Sequence, residues 1–219
     1  MKLIASIKRK LNAVSVFNSI RGKKGNRITN KGFLYKCKIR IVGKNNVIEI
    51  KENAKLIRCR IVIHGSGNRI TIGADSYLEQ AGICMDFDKN SLLIGERCIF
   101  SLRNHFSVCE GKTITIGNDC LTSADIHCRT TDSHTILNQD GERINPAQNI
   151  SIGDHVWIGA SVTLLKGASI GSDSVVSYGS IVTKAIEETN CIIAGTPAKI
   201  VKQGINWDKK LYREEDDTL

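Results

Sequence analysis

Aliphatic residues recur every six positions through the second half of the chain. The residues found by stepping six at a time are Ile152, Ile158, Leu164, Ile170, Val176 and Val182. A period of six fits neither an α-helix nor an alternating strand. We therefore predict a chain that turns a corner every six residues, so that three short strands form one coil of a triangular prism and stacked coils share one core.

The same pattern extends toward the N-terminus with a longer step. The coil origins Ile50, Ile72, Ile94 and Ile116 lie 22 residues apart, and "GSGN", "FDKN" and "EGKT" supply the additional turn residues. The other positions predicted to point inward are Leu56, Val62, Leu78, Cys84, Phe100, Phe106, Thr122 and Cys128. A further coil starting at Ile28 would turn Arg40 inward, so the prediction is about six to seven coils.

One segment breaks the pattern, "TTDSHTILNQDGERINPAQN" at residues 130–149. Between Ile116 and Ile152 there is room for two coils, but the second would place His134, Asp140 and Pro146 at inward positions. We predict a loop that leaves the prism near His134. Long loops on a rigid scaffold often carry function.

The positive charge is concentrated at one end of the chain. The net charge is +9, but residues 1–40 hold twelve basic residues and no acidic one, while the remainder holds 19 basic and 22 acidic residues. A general nucleic-acid surface is therefore not indicated. Apolar residues at helical spacing predict a short amphipathic helix within residues 1–24, which packs on the domain or contacts anionic lipid or an anionic polymer.

The sequence shows none of the features expected of an exported or membrane-spanning protein. No apolar stretch is long enough to cross a membrane, and no secretory cleavage site is evident. The eight cysteines include no CxxC pair, which favours buried reduced thiols over a disulfide framework. We expect a cytoplasmic protein, with association with the inner face of the membrane left open.

The repeat carries a family resemblance. The pattern [LIV]-G-x-x-[small]-x and the segment "IGDHVWIGASVTLLKGASIGSDSVVSYGSIVTK", followed by "IIAGTPAKIVK", resemble the hexapeptide-repeat acetyltransferases. These include galactoside and maltose acetyltransferases and enzymes that decorate bacterial capsule and O-antigen. The resemblance implies an all-β, left-handed parallel β-helix, a homotrimer with active sites between subunits, acetyl-CoA as co-substrate and no metal. The expected segments are a helical cap at 1–24, the β-helix at 25–186 and a C-terminal cap at 187–219.

The resemblance also assigns residues. It places a catalytic histidine in or beside the extruded loop, which here is His134 in "TTDSHTI", with Asp132 or a backbone carbonyl orienting its ring. Neutral imidazole is suited to take a hydroxyl proton near pH 7. His127 is the alternative base. His127 and Asn104 are also the residues expected on the acceptor side, although an asparagine there could serve only a turn.

The residues expected to bind acetyl-CoA follow from the same resemblance. Trp157 would line the groove where pantetheine meets the acceptor, and the remaining positions would contact pantetheine or the nucleotide. They are Gly159, Ala160, Tyr178, Thr183, Lys184, Pro197 and Lys199.

The function implied is O-acetylation of a bacterial surface sugar or polysaccharide. A polyanionic acceptor such as polysialic acid would suit the basic N-terminus. Two alternatives remain open at this point. One is N-acyl transfer to an amino sugar or a xenobiotic. The other is a metal-dependent or non-enzymatic hexapeptide protein.

Overall fold

The computed structural model describes residues 17–210. Within that range every regular element is a β-strand. In chain order the strands are β1 Ser19–Arg21, β2 Arg27–Asn30, β3 Phe33–Tyr35, β4 Lys38–Val42, β5 Val47–Ile50, β6 Lys55–Ile57, β7 Arg60–His64, β8 Arg69–Ile72, β9 Tyr77–Glu79, β10 Gly82–Asp86, β11 Ser91–Ile94, β12 Ile99–Phe100, β13 His105–Cys109, β14 Thr113–Ile116, β15 Leu121–Thr122, β16 His127–Arg129, β17 Ile150–Ile152, β18 Trp157–Ile158, β19 Thr163–Leu164, β20 Ser169–Ile170, β21 Val175–Val176, β22 Ile181–Val182, β23 Ala185–Ile186, β24 Cys191–Gly195 and β25 Ala198–Gln203.

The strands form three parallel sheets that are the faces of a prism. Sheet A begins with β1 and takes every third strand to β22, sheet B runs likewise from β2 to β23, and sheet C runs from β3 to β24 with β25 added antiparallel. The strands β2 to β22 make seven complete coils. This confirms the predicted left-handed parallel β-helix and settles the coil count at seven.

Two expectations about the first coils were wrong. Arg40 does not point inward, because its neighbours Ile39 and Ile41 are buried while Arg40 is exposed. The predicted helix at 1–24 fails at Ser19–Arg21, which pairs with β4 as a strand. The rest of that helix, to residue 16, lies outside the described residues.

The inward positions on sheet A are also shifted from the prediction in the early coils. Val62 and Cys84 face outward, and in β10 the buried side chains are those of Ile83 and Met85. Ile83 pairs with Phe106, although Ile83 follows the buried Leu78 by five residues and Phe106 follows Phe100 by six. The corner between sheets C and A is thus one residue shorter in the early coils than at Phe100–Phe106. A shift of one residue exchanges the two faces of a strand, so the predicted inward and outward positions are reversed there.

A ladder of asparagines fastens the corner between sheets A and B. The side-chain amides of Asn46, Asn68 and Asn90 each donate to the side-chain oxygen of the asparagine one coil earlier, at 2.9–3.0 Å, beginning at Asn26. The last oxygen of the ladder accepts from the backbone N–H of Gly111. Buried amides must be hydrogen-bonded, and this stack satisfies each of them in turn.

The C-terminal segment does more than cover the end of the prism. After β25, the backbone N–H of Ile205 donates to the carbonyl oxygen of Asn190. The chain then runs back along the corner between sheets B and C, where Trp207 contacts His155 and the amine of Lys209 donates to the carbonyl oxygen of Arg97 at 3.0 Å. We call residues 204–210 the strap.

Candidate functional site

The loop at residues 130–149 occupies the corner between sheets A and B. It connects β16 to β17, and Ile150 already pairs with Ile114, so the chain rejoins the prism at 150 rather than 152. Its outer part is a small hairpin closed by an antiparallel bridge between Leu137 and Arg143. Ile136, Leu137 and Ile144 on this hairpin are more than half exposed.

His134 lies in the part of the loop between β16 and the hairpin, and it is exposed. Its ring makes no hydrogen bond to any residue in the range 17–210. Its backbone is fixed, because the side-chain amide of Asn145 donates to the His134 carbonyl oxygen at 2.8 Å. The same asparagine accepts from the N–H of Ile136 at 2.8 Å. The buried Asn145 therefore fixes the backbone that follows the His134 side chain, from the His134 carbonyl to the Ile136 N–H.

Asp132 serves the loop rather than the His134 ring in this chain. Its carboxylate accepts from Lys166 Nζ at 2.5 Å and from the Asn145 side-chain amide at 2.9 Å. The bond to Lys166 and then that to Asn145 lower the pKa of Asp132. Asp132 thus ties the loop to the turn after β19.

A second anchor lies beneath the hairpin. Arg143 donates two hydrogen bonds to Glu110, at 2.7 and 3.0 Å, and Thr131 donates a third at 2.7 Å. These bonds, that of Arg143 foremost, lower the pKa of Glu110 to about 2. A forked arginine–carboxylate pair is directional as well as charged, so it fixes the hairpin relative to the coil below.

An open groove of about 370 Å³ lies between the loop and the turns of the preceding coils. Ser133 and Thr135, the two neighbours of His134, line it from the loop side. Asp86 and Phe87 line it from the prism side. The groove therefore has hydroxyl, carboxylate and aromatic groups on its walls, and His134 lies in the chain between two residues that line it.

The corner between sheets C and A carries Gly159, Ala160 and Tyr178, three of the residues expected to contact pantetheine. Gly159 lies so close to the next coil that a Cβ there would be 2.8 Å from the Tyr178 nitrogen. Within residues 17–210, the backbone N–H groups of Ala160 and Tyr178 make no hydrogen bond. The two donors lie one coil apart, and their bonding to the amide carbonyls of pantetheine remains a prediction.

Trp157 lies on the outer face of sheet C and is partly exposed. Its ring centroid is 6.1 Å from that of Trp207 in the strap. Trp207 in turn stacks on His155 at 4.2 Å and donates through Nε1 to the His155 carbonyl oxygen at 2.8 Å. The sequence did not predict this pairing, because the strap has no repeat and its contact lies 52 residues away.

The other residues expected to bind CoA are accessible. Thr183 and Lys184 follow β22, Pro197 lies in the turn between β24 and β25, and Lys199 lies on β25, and all four are exposed. Their contacts with CoA remain predictions.

The two acceptor-side predictions fare differently. Asn104 is fully buried, and its side chain bonds Ser101, Thr122 and the Ile126 backbone, so its contacts favour the turn role. His127 is exposed on sheet A, with its ring centroid 6.0 Å from that of His105. Burial, and then the neighbouring His127, lower the pKa of His105.

Comparison with known proteins places the fold among transferases. The bacterial transferase hexapeptide (six repeats) family matches residues 149–184. The crystal structure of NeuO, a polySia-specific acetyltransferase, aligns with 92% of this chain and 81% of its own at 30% identity, with a TM-score of 0.74. The chain belongs to the hexapeptide-repeat acetyltransferase family.

Two further relatives of this chain are also polysialic acid O-acetyltransferases. The polysialic acid O-acetyltransferase OatWY aligns over 79% of this chain and 92% of its own, at 30% identity and a TM-score of 0.68. The polysialic acid O-acetyltransferase of Neisseria meningitidis is 36% identical over 117 residues, which is 52% of this chain and 54% of the relative. The chain thus spans about half the length of the curated relative.

No helix in the described part of the chain is long and apolar enough to cross a membrane. Among residues 17–210 no group of three histidine, cysteine or acidic side chains is arranged to hold a metal ion.

Proposed function

We propose that this protein is an acetyl-CoA-dependent O-acetyltransferase that modifies a hydroxyl of a bacterial surface polysaccharide. The observation that carries the proposal is the presentation of His134: its imidazole makes no hydrogen bond within residues 17–210, it lies on a loop braced by Asn145, and its neighbours Ser133 and Thr135 line an open groove. The acceptors named for the relatives support the class of substrate.

The chemistry assigned to the chain is proton transfer and positioning. Acetyl-CoA, when bound, supplies an acetyl group already activated as a thioester. A ring nitrogen of His134 takes the proton from the attacking hydroxyl as the oxygen–carbon bond forms, and it returns that proton to the departing sulfur. Asp132 acts as a positioning residue through Asn145 and Lys166, which hold the loop.

Acetyl-CoA would bind along the corner between sheets C and A. Trp157 is the expected wall near the reacting end, and Ala160 and Tyr178 offer N–H groups that make no hydrogen bond within residues 17–210. Lys184 and Lys199 are exposed cations for the nucleotide phosphates.

The arrangement of corners supports a homotrimer. His134 belongs to the corner between sheets A and B, whereas Ala160 belongs to the corner between sheets C and A. Direct transfer requires both at one place, which a second copy of the chain would provide. Exposed apolar residues on the loop hairpin, such as Leu137 and Ile144, would be covered by that copy. Light scattering of the purified protein tests the stoichiometry.

A polyanionic acceptor suits the charge of sheet A. Lys38, Arg40 and Arg60 are exposed on the outer face of its early coils, and Arg40 pairs with Arg21 of β1. Such a basic row along the prism axis would attract an anionic polymer toward the loop. Contact of residues 1–16 with anionic lipid is a separate proposal, tested by sedimentation with vesicles that contain anionic lipid.

A cytoplasmic location suits a protein with eight free cysteines, seven of them buried. The test of the function as a whole is incubation with labelled acetyl-CoA and fragments of capsule and O-antigen. A product label released by hydroxylamine indicates an ester. A label that resists it would indicate the amide of an N-acyltransferase, and no transfer to any saccharide would refute the proposal.

A further inference from the structure

The groove beside His134 has an unusual wall at Phe87. The turns at the corner between sheets A and B are equivalent in the first three coils, because Val42, His64 and Asp86 are paired in register. The next residue is Gly43 in the first turn, Gly65 in the second and Phe87 in the third. All three have a positive φ, of 124°, 138° and 73°.

The stacking of the coils explains the two glycines. A Cβ at Gly43 would lie 2.0 Å from the Gly65 carbonyl oxygen, and one at Gly65 would lie 2.1 Å from that of Phe87. The turn that follows Phe87 along the axis is one residue shorter, since residues 110–112 replace a four-residue turn. The shorter turn leaves room for a side chain at position 87, but it does not require one.

Nothing in the fold accounts for the side chain that is found there. Phe87 is the only non-glycine residue with positive φ between residues 17 and 210 whose side chain is purely hydrocarbon. It is also 66% exposed, so the ring gains little from burial. An unfavourable backbone conformation and an exposed aromatic ring at the same residue point to a function.

The surroundings of the ring match the chemistry of a sugar. Hydroxyls of Thr131, Ser133 and Thr135 line the same groove. The C–H face of a pyranose packs on an aromatic ring, while its hydroxyls need hydrogen-bonding partners at the edges. Asp86, on the prism side of the groove, has one carboxylate oxygen 3.0 Å from Nδ1 of His64.

We propose that Phe87 is the stacking platform of an acceptor subsite that binds one pyranose unit of the saccharide. The inference rests on the proposed acetyl transfer only for the identity of the acceptor. The groove would hold that unit next to His134, whose neighbours Ser133 and Thr135 form its other wall.

The test compares Phe87→Gly, Phe87→Trp and the control Val201→Ala, which alters a residue of similar exposure on β25. Phe87→Gly is expected to raise KM for the saccharide at least fivefold and to leave KM for acetyl-CoA unchanged. The melting temperature should be unchanged or higher, because glycine adopts a positive φ without strain. Phe87→Trp should stay within about twofold of wild type, as should the control. An unchanged acceptor KM in Phe87→Gly would overturn the proposal, as would an equal rise in both KM values.

A binding measurement separates this inference from the proposed function. Saturation-transfer NMR with capsule oligosaccharide fragments reports contact without turnover. Loss of the signal in Phe87→Gly and retention in Val201→Ala supports the subsite even if no acetyl is transferred. Equal signals in wild type and Phe87→Gly would overturn the subsite, while acetyl transfer by the wild type would leave the proposed function standing.

Discussion

The side-chain amide of Asn145 donates a 2.8 Å hydrogen bond to the carbonyl oxygen of His134 across the width of the loop. Asn145 is buried, and its other contacts reach Asp132 and the backbone of Ile136. One side chain thus fixes the backbone that follows the proposed base and also bonds the Asp132 side chain, two residues before it.

Replacing Asn145 should impair catalysis more than folding. Asn145→Ala removes four hydrogen bonds and leaves the His134 carbonyl and the Ile136 N–H without this partner, at a cost of about 1–3 kcal/mol in the free energy of unfolding. We expect kcat to fall at least tenfold because the imidazole loses its position. Thermal unfolding and steady-state kinetics measure the two effects. A variant with reduced stability but normal kcat would show that Asn145 is not a positioning residue.

The ion pair of Glu110 and Arg143 predicts a pH dependence of stability. The pKa of Glu110 is lowered to about 2, so its contribution is present above the unfolded value of about 4.3 and is lost as the pH falls toward 2. Glu110→Gln should lower the free energy of unfolding by about 1 kcal/mol at pH 6, allowing for the partial exposure of the pair.

The difference between the two proteins should narrow steadily between about pH 4.5 and pH 2, as denaturant titrations at several pH values would record. A difference independent of pH would contradict the assignment of the shift to this pair.

The two tryptophans allow CoA binding to be located. The chain contains only Trp157 and Trp207, so Trp207→Phe and Trp157→Phe each leave one reporter. We expect CoA to change the fluorescence emission of Trp207→Phe, which retains Trp157. Bound CoA should also shield Trp157 from a soluble quencher. In Trp157→Phe the response should be smaller, and KM for acetyl-CoA should rise several-fold. Equal responses in both variants would place the strap in the CoA site as well.

The basic row on sheet A predicts a charge-dependent acceptor KM. Arg40→Glu and Arg60→Glu should raise KM for a long anionic polysaccharide about three- to tenfold, and added salt should reduce the difference. Lys55→Glu is the matched control, because it makes the same change of charge on an exposed residue of sheet C. An equal effect of all three substitutions would indicate net charge alone rather than a path along sheet A.

Much of this fold is readable from its period, and the exceptions have physical causes. The six-residue repeat predicted the prism because the inward positions from Ile152 to Val182 all carry aliphatic side chains, and it predicted the loop because residues 134, 140 and 146 do not. It failed in β10, where Ile83, Cys84 and Met85 are all apolar, so hydrophobicity does not determine which of them face inward. In β4, by contrast, apolar Ile39 and Ile41 alternate with charged Lys38 and Arg40, and this alternation does indicate which side chains face inward.

The site was less predictable than the fold. His134 could be proposed from its loop and its family resemblance, but Asn145 and Lys166 act through contacts that only the folded loop creates. The strap contact of Trp207 and the groove position of Phe87 likewise depend on tertiary stacking. The sequence did contain one signal for Phe87. Gly43 and Gly65 occupy the equivalent position in the two preceding turns, and Phe87 replaces glycine in the third.

The central claim is that His134 is the base for acetyl transfer to a sugar hydroxyl. The most direct test is kcat/KM of His134→Ala with acetyl-CoA and an acceptor saccharide, with His127→Ala measured alongside. We predict a loss of about 10²–10⁴-fold for His134→Ala, with an unchanged circular dichroism spectrum and assembly state, and a much smaller loss for His127→Ala. A correctly assembled His134→Ala protein with near-normal kcat/KM would contradict the account.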